Sequence, residues 1–259
     1  MERSLDEIAY LSRSENRVRV LDVLTSDALT RRELEAETGA SQATLSRVLE
    51  DFRDRGWVSK EDALYEATAF GTWISNAVSG LQEAVRVGED LREVAPLLPT
   101  TVDGFDVRWL ADAEVVTPTQ TEPNAPMDRV ENELQTGRDV RVLSYAYNRN
   151  CLDANVAAVQ ERGQRYEGVY TDDAIRSLYE EPEWRDQLES ILDADTVTIS
   201  VYDGAVPCSV EVVDGEVHLI LRDDQGVVRA VVASGSTPLR EWAESLFEQY
   251  LEDAEPVDL

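Results

Sequence analysis

LTRRELEAETGASQATLSRVLEDFRDRGWVSKEDALYEAT, residues Leu29–Thr68, decides the fold of the front of this chain. Thr30 to Thr38 reads as a short helix, with Thr30 as cap and Glu33 completing a capping box three residues on. Gly39-Ala40 is a tight turn. Ser41 caps a second helix that runs to about Arg55, where Gly56 stops it. On that helix Leu45, Val48, Leu49 and Phe52 recur at 3.6-residue spacing and face inward. Gln42, Ala43, Thr44, Ser46 and Arg47 are left outward near its start. Trp57 to Lys60, a turn at Glu61-Asp62-Ala63, and Leu64 to Ala67 form a hairpin, the wing of a winged helix. A recognition helix presents its first turns to base edges, and short polar groups with one forked cation suit them. The expected base contacts are Gln42, Thr44 and Arg47. The expected phosphate contacts are Arg31, Arg32, Ser41, Ser46 and Lys60. Glu50, Asp51 and Asp54, further along the helix, would repel phosphate, so only its first two turns are expected to enter a groove.

Composition bears on this in two ways. The chain has 259 residues, 24 Lys+Arg and 53 Asp+Glu, a net charge of −29. That sign opposes binding to a polyanion. Yet residues 1–60 carry only −2, against −27 for residues 61–259. Lys60 is the only lysine beside 23 arginines. An acidic, lysine-poor chain fits a salt-saturated cytoplasm, where high net charge preserves solubility. At about 1 M salt the Debye length is only about 3 Å, so repulsion from the acidic remainder is largely screened. No apolar run is long enough to span a bilayer, and the start has no signal-peptide pattern, so no membrane partner is expected. Cys151 and Cys208 give no disulfide framework or zinc cluster, and read as small apolar core residues.

Outward from the opening stretch, Ser4 to Leu11 reads as a short helix with a Ser4/Glu7 capping box. Glu15 to Thr25 reads as the first helix of the three-helix core, capped by Ser14. Phe52, Trp57 and Tyr65 close its centre. Thr72 to about Leu91 is a longer helix whose Ile74, Val78, Leu81 and Val85 alternate spacings of four and three, a heptad-like seam. Packing against the chain's own second domain is one reading of that seam. A homodimer is the favoured one, because it would set two recognition helices on neighbouring half-sites.

Pro96 and Pro99 mark a boundary. Phe105 to Val116 reads as a strand and Thr117 to Pro126 as a loop. From Met127 helices and strands alternate, with an Asp214-Gly215 hairpin turn between Ser209–Val213 and Glu216–Arg222. Thr237-Pro238 opens the last helix. The fold class expected is therefore α+β followed by α/β: a winged helix over 1–69 (three helices plus a β-hairpin wing), a linker and dimerisation helix over 70–95, and a mixed α/β, sensor-like domain over 100–259 with helices on both sheet faces.

No P-loop or GxGxxG occurs, and no cofactor or metal is expected. His218 is the only histidine. A phospholipase D-type site wants Lys two residues after its His and Asp five beyond that. Ile220 and Gln225 stand there, so His218 reads as a strand histidine, and catalysis is not expected. Loops after strands are the default pocket of an open α/β sheet. A small-molecule effector site is placed among Tyr145, Asn148, Arg149, Tyr170 and Thr171.

SENRVRVLDVL at Ser14–Leu24, RRELEAETGASQATLSRVLEDFRDRGWV at Arg31–Val58 and YEATAFGTWI at Tyr65–Ile74 resemble haloarchaeal winged-helix regulators. With RVLSYAYNR at Arg141–Arg149 and LILRDDQGVVRAVVASGSTPLREWAESLFEQYLEDAEPV at Leu219–Val257, they resemble the branch whose C-terminal part is a FilR1-type, methanogenesis-regulator domain. A more distant similarity is to TrmB-like regulators, whose sensor domain is similar to a degenerate phospholipase D half. The resemblance implies a dimeric transcriptional regulator of a halophilic archaeon, bound to double-stranded promoter DNA. It supplies no effector. A winged-helix adaptor for another protein stays open, as does, more remotely, a phosphodiesterase.

Overall fold

Two units, Met1–Val85 and Arg86–Leu259, make up the chain, and the computed structural model describes residues 2–257. Residue 1 and residues 258 and 259, the outer limits of the expected domains, lie outside the described residues.

The first unit runs α1 (Glu2–Ser12), α2 (Glu15–Val23), β1 (Leu29–Thr30), α3 (Arg31–Thr38), α4 (Gln42–Asp54), β2 (Val58–Glu61), β3 (Leu64–Ala67) and the start of α5 (Ala69–Asp90). The capping box at Thr30 is formed: its hydroxyl accepts from the Glu33 amide while the Glu33 carboxylate accepts from the Thr30 amide at 2.8 Å. Gly39 and Gly56 end α3 and α4 at φ 69° and 72°, where a Cβ would be strained. Val20, Leu21, Leu24, Leu34, Leu45, Val48, Leu49, Phe52 and Trp57 fill the core between the helices. β3 lies between β1 and β2, antiparallel to both.

Gly71, in the first turn of α5, is required by a close approach. A Cβ there would sit 2.0 Å from the Trp57 carbonyl oxygen. Thr68 fixes the same junction, donating from its hydroxyl to the Gly56 carbonyl at 2.7 Å and accepting from the Gly71 amide at 3.1 Å.

The two expected caps ahead of the core do not form. α1 already begins at Glu2, so Ser4 lies inside it. Glu7 instead pairs with Arg55 at 2.7 Å. Ser14 holds the N-cap position of α2 without a side-chain bond. The join between α1 and the core is made by Tyr10. Arg17 and Arg55 cover its ring, their guanidinium carbons 3.9 and 3.8 Å from the centroid. Its hydroxyl donates to Asp51 at 2.6 Å. Burial and the Asp51 bond push the phenol up to about 12.

The second unit continues with β4 (Glu114–Val116), α6 (Ala125–Thr136), β5 (Asp139–Ser144), α7 (Arg149–Arg162), β6 (Arg165–Thr171), α8 (Asp172–Glu180), α9 (Pro182–Leu192), β7 (Val197–Tyr202), β8 (Ser209–Val213), β9 (Glu216–Arg222), β10 (Val228–Ser234), α10 (Thr237–Glu252) and β11 (Glu255–Pro256). They form one eight-stranded sheet in the order β11-β7-β6-β5-β8-β9-β10-β4. β5, β6 and β7 are parallel and joined through helices; the remaining pairings are antiparallel. Val130, Leu152, Val159, Leu178, Leu188 and Ile191 of α6 to α9 cover one face. Leu239, Trp242, Leu246 and Phe247 of α10 cover the other.

The hairpin between β8 and β9 turns through Asp214 (φ 48°) and Gly215 (φ 92°), the primed geometry that matches strand twist. The Asp214 carboxylate then accepts from the Arg138 and Asp139 amides at 3.1 and 3.0 Å, tying the turn to the start of β5.

The strand expected over residues 105–116 is confined to β4. Val107–Leu110 is a 3-10 turn begun by Asp106, whose carboxylate accepts from the Arg108 amide. The apolar pattern there serves an aromatic cluster: Phe105 meets Trp109 and Trp242 edge-on, with centroids 6.3 and 5.1 Å away. Ser236, rather than Thr237, occupies the N-cap position of α10, without a side-chain bond.

Candidate nucleic-acid interface and interior cavity

α4 presents its first turns outward because Leu45, Val48, Leu49 and Phe52 commit the opposite side to the core. Ser41, Gln42, Ala43, Ser46 and Arg47 are exposed and Thr44 is half-buried. Several of the expected contacts are engaged locally. The Gln42 side-chain amide donates to the Glu35 carboxylate at 2.6 Å and the Arg31 carbonyl at 3.2 Å, clamping α4 to α3. Ser41 accepts from the Thr44 amide at 3.3 Å, and the two hydroxyls share a 3.0 Å bond. Arg31 donates to Ser46 Oγ at 2.8 Å.

Arg32 and Arg47 are exposed, and among the described residues nothing holds either side chain. Lys60 stands exposed on β2, its Nζ 5.5 Å from the Tyr65 ring centroid. Of the acids expected to repel phosphate, Glu50 and Asp54 are exposed. Asp51 is not of that kind: it is half-buried and holds Tyr10.

The seam expected on α5 divides. Ile74 and Val78 pack against the first unit's own core. Leu81 is 59 % exposed and Val85 54 %, in company with Trp73 at 70 % and Phe70 at 49 %. Ile74 and Val78 are therefore spent within the chain.

The expected effector residues also divide, between two places. Tyr145 and Thr171 line an open cleft with Asp172, Asp173 and Asp203 at the carboxyl ends of β5, β6 and β7. Asn148 and Tyr170 line a narrow cavity of about 20 Å³, room for about one water, beneath the first turns of α7. Arg149 joins neither: it pairs with Glu183 at 2.8 Å.

The cavity wall includes Ser144, Tyr147, Cys151, Asn155, Glu211 and Arg222. Asn148 caps α7 at its mouth, accepting from the Cys151 amide at 3.3 Å. Tyr147 stacks on Tyr170, with centroids 4.0 Å apart. Tyr170 in turn bonds Tyr166 through their hydroxyls. Glu211 Oε2, Asn155 Oδ1 and Arg222 Nε are buried without a partner. Burial, which disfavours the ionised form, pushes the Glu211 carboxyl up to about 7 against the pull of Arg222. Sequence reading missed Glu211 because a lone acid in an apolar strand looks like any outward-facing residue. Its neighbours in VPCSVEVVDGEVHLILR are apolar on both sides, and that was the available signal.

His218, directly across from Glu211 on β9, is fully buried. Its Nε2 lies 3.2 Å from Glu216, and burial pulls its pKa down to about 4. Ile220, in the place a phospholipase D-type lysine would take, is core. Cys151 and Cys208 are both buried free thiols, and burial raises the pKa of each, Cys208 to about 12. Such thiols are poor nucleophiles. Among the described residues no helix is long and apolar enough to cross a membrane.

Solved structures offer distant likenesses. One is TrmBL2, described as an archaeal chromatin protein with a novel mode of DNA binding, at 16% identity over 92% of each chain and a TM-score of 0.44. Another is the phospholipase D family member Nuc from Salmonella typhimurium, at 14% identity over 57% of this chain and 100% of that one, with a TM-score of 0.45. NucT from Helicobacter pylori gives 13% identity over 56% of this chain and 99% of that one, with a TM-score of 0.42. No curated protein matches the chain. Two family models do match: the HVO_A0261 N-terminal domain over residues 5–90, and the methanogenesis regulatory protein FilR1, middle domain, over residues 123–253. With the second covering more than half of its length, the chain belongs to the FilR1 middle-domain family, joined here to an HVO_A0261-type N-terminal domain.

Proposed function

We propose that the chain is a sequence-specific DNA-binding transcriptional regulator of a halophilic archaeon, with a winged helix in its first unit and a regulatory second unit. Membership of a regulator family supports this reading. The observation that carries it is the pair of uncommitted arginines on α3 and α4, with Lys60 exposed on the hairpin. Arg32 and Arg47 stand free, and Lys60 projects from the hairpin, in a chain whose net charge is −29. The structure spends arginines on packing where it needs to, as at Tyr10, yet leaves these outward. Arg47 takes a base edge through its fork. Arg31, Arg32, Ser41, Ser46 and Lys60 take phosphates. Gln42 and Thr44 reach bases only by releasing their present bonds, so they rank behind Arg47.

The protein acts as a homodimer through α5. Between Ala69 and Gln82 that helix has no charged residue, in a chain that is 30% charged. Phe70, Trp73, Leu81 and Val85 replace the original seam, with Leu81 and Val85 common to both. Two strongly acidic copies repel elsewhere, so an uncharged stripe is where they can meet. The decisive experiment is footprinting and gel shift on the DNA upstream of the protein's own gene, in molar potassium chloride. A protected site of about two half-sites, spaced by one helical turn, is expected. Absence of protection together with a monomeric mass by light scattering would refute the reading.

A further inference from the structure

The hairpin of the first unit has two faces, and its charges are sorted between them. Val58 and Lys60 lie across from Ala67 and Tyr65, and Val58 and Tyr65 turn that face to the core. Ser59 and Glu61 lie across from Glu66 and Leu64 on the outer face. All four are exposed, Leu64 to 43 %. Asp62 and Ala63 form the exposed turn, with Asp62 at φ 51°. The outer face and the tip of the hairpin therefore carry three carboxylates, those of Glu61, Asp62 and Glu66, and no cation. Lys60, the hairpin's one cation, is on the other face, its Nζ 5.5 Å from the Tyr65 ring centroid.

α4 shows the reverse. Ala43, Ser46 and Arg47 are exposed at helical spacing, one outward stripe that offers a methyl, a hydroxyl and a guanidinium. The first acid along it, Glu50, comes nearly a turn after Arg47.

Given the DNA-binding function proposed for the first unit, on which this step rests, we propose that the duplex is read from the major groove alone, through the Ala43–Arg47 stripe of α4, and that the hairpin tip stays out of the neighbouring minor groove. A protein segment that enters a minor groove brings cations or amide side chains, because negative potential is concentrated there. Glu61 and Asp62 are the opposite set. Salt does not rescue them: screening acts over about 3 Å at 1 M, and a carboxylate inside the groove touches its walls. Lys60, on the core-side face, takes its phosphate without bringing the tip in. In the major groove the stripe has defined uses. Arg47 forks onto guanine O6 and N7, and the Ala43 methyl, one turn earlier, packs on the methyl group of a nearby thymine.

Dimethyl sulfate probes both grooves at once, since it methylates guanine N7 in the major groove and adenine N3 in the minor. The full chain is bound to the duplex upstream of its own gene, with the pairs flanking any protected guanine replaced by A·T, and footprinted with this reagent. Guanine N7 should be protected about fivefold or more, while adenine N3 within a helical turn on either side stays within about twofold of free DNA. Protection of adenine N3, whatever N7 shows, overturns the exclusion of the wing and leaves DNA binding standing. Protection of neither atom removes both. A second arm neutralises the tip: Glu61→Gln together with Asp62→Asn keeps the turn, because asparagine tolerates a positive φ. Affinity for the same duplex should change by less than about threefold, and a larger gain would place the carboxylates against DNA and overturn the proposal. The unfolding midpoint reports that the variant is folded; if it is not, the footprint of the wild type decides alone.

Discussion

The two units treat polar groups in opposite ways. Among the described residues, the first unit buries only Thr38 and Ser75 of its polar side chains and no charged one. Those of its cations whose side chains are described either cover Tyr10 or face solvent. The second unit, which has most of the acid load outside, buries Glu211, His218, Asn155 and Gln164 between sheet and helices. Gln164 is explained locally, since it donates to the Leu134 and Gly137 carbonyls at 2.9 Å. Glu211 and Asn155 are not. A surface that meets a large polyanion gains by keeping charge mobile and wet. A site for a small molecule gains by holding charge dry, where each bond counts for more. The contrast is between a unit that keeps its charges wet and one that buries a few of them.

The sharpest way to break that contrast is to unseat each unit at its own tightest point. Gly71→Ala should cost the first unit about 4 kcal/mol, because the new methyl group meets backbone rather than a yielding side chain. Hydrogen exchange at α4 amides measures it, and a near-native rate would show that the junction at Trp57 is softer than its geometry. In the second unit, Glu211→Gln should change stability by on the order of 3 kcal/mol in a pH-dependent way. A carboxyl whose folded pKa is raised to about 7 keeps its proton while the unfolded chain has lost it. The wild type therefore loses stability relative to the variant as pH rises from about 4 to about 7, and no more above that. His218 slopes the other way: its contribution is present above about 6.5 and fades as pH falls towards 4. A difference curve between wild type and variant that is flat with pH would remove Glu211 from the account.

Smaller effects sharpen the comparison at the surface. Arg47→Ala should lose about 1–3 kcal/mol of discrimination between specific and random duplex while leaving the melting midpoint in place. Equal discrimination by mutant and wild type would move the reading element elsewhere. Thr30→Ala should cost about 1 kcal/mol through loss of the capping box that orients α3 under α4, read as a shift in the denaturant midpoint.

Much of this architecture was legible in one sequence because the signals were local. The capping box at Thr30, the stops at Gly39 and Gly56, and the Asp214-Gly215 turn each rest on a few adjacent residues and known dihedrals. What escaped was set by distant partners. Tyr10 reads as one more aromatic until Arg17, Arg55 and Asp51 are brought around it. The α5 periodicity was real, but the same stripe was divided between a core contact and an exposed face, which spacing alone does not resolve. The residues expected around an effector follow strands, and the fold parts them: Asn148 and Tyr170 line the cavity beneath α7, Tyr145 and Thr171 the open cleft. Glu211, Arg222 and Asn155 come from β8, β9 and α7, and only the sheet order sets them together.

Lys60 has a practical consequence. As the chain's only lysine, placed on an exposed hairpin strand, it is the one side chain that an acylating reagent or an acetyl-transferring enzyme could neutralise. Among side chains, an amine-reactive dye would mark the wing alone and report its surroundings without engineered cysteines. Acylation would subtract one positive charge from the least acidic part of the molecule, a chemical dimmer set at the edge of the surface assigned to the duplex.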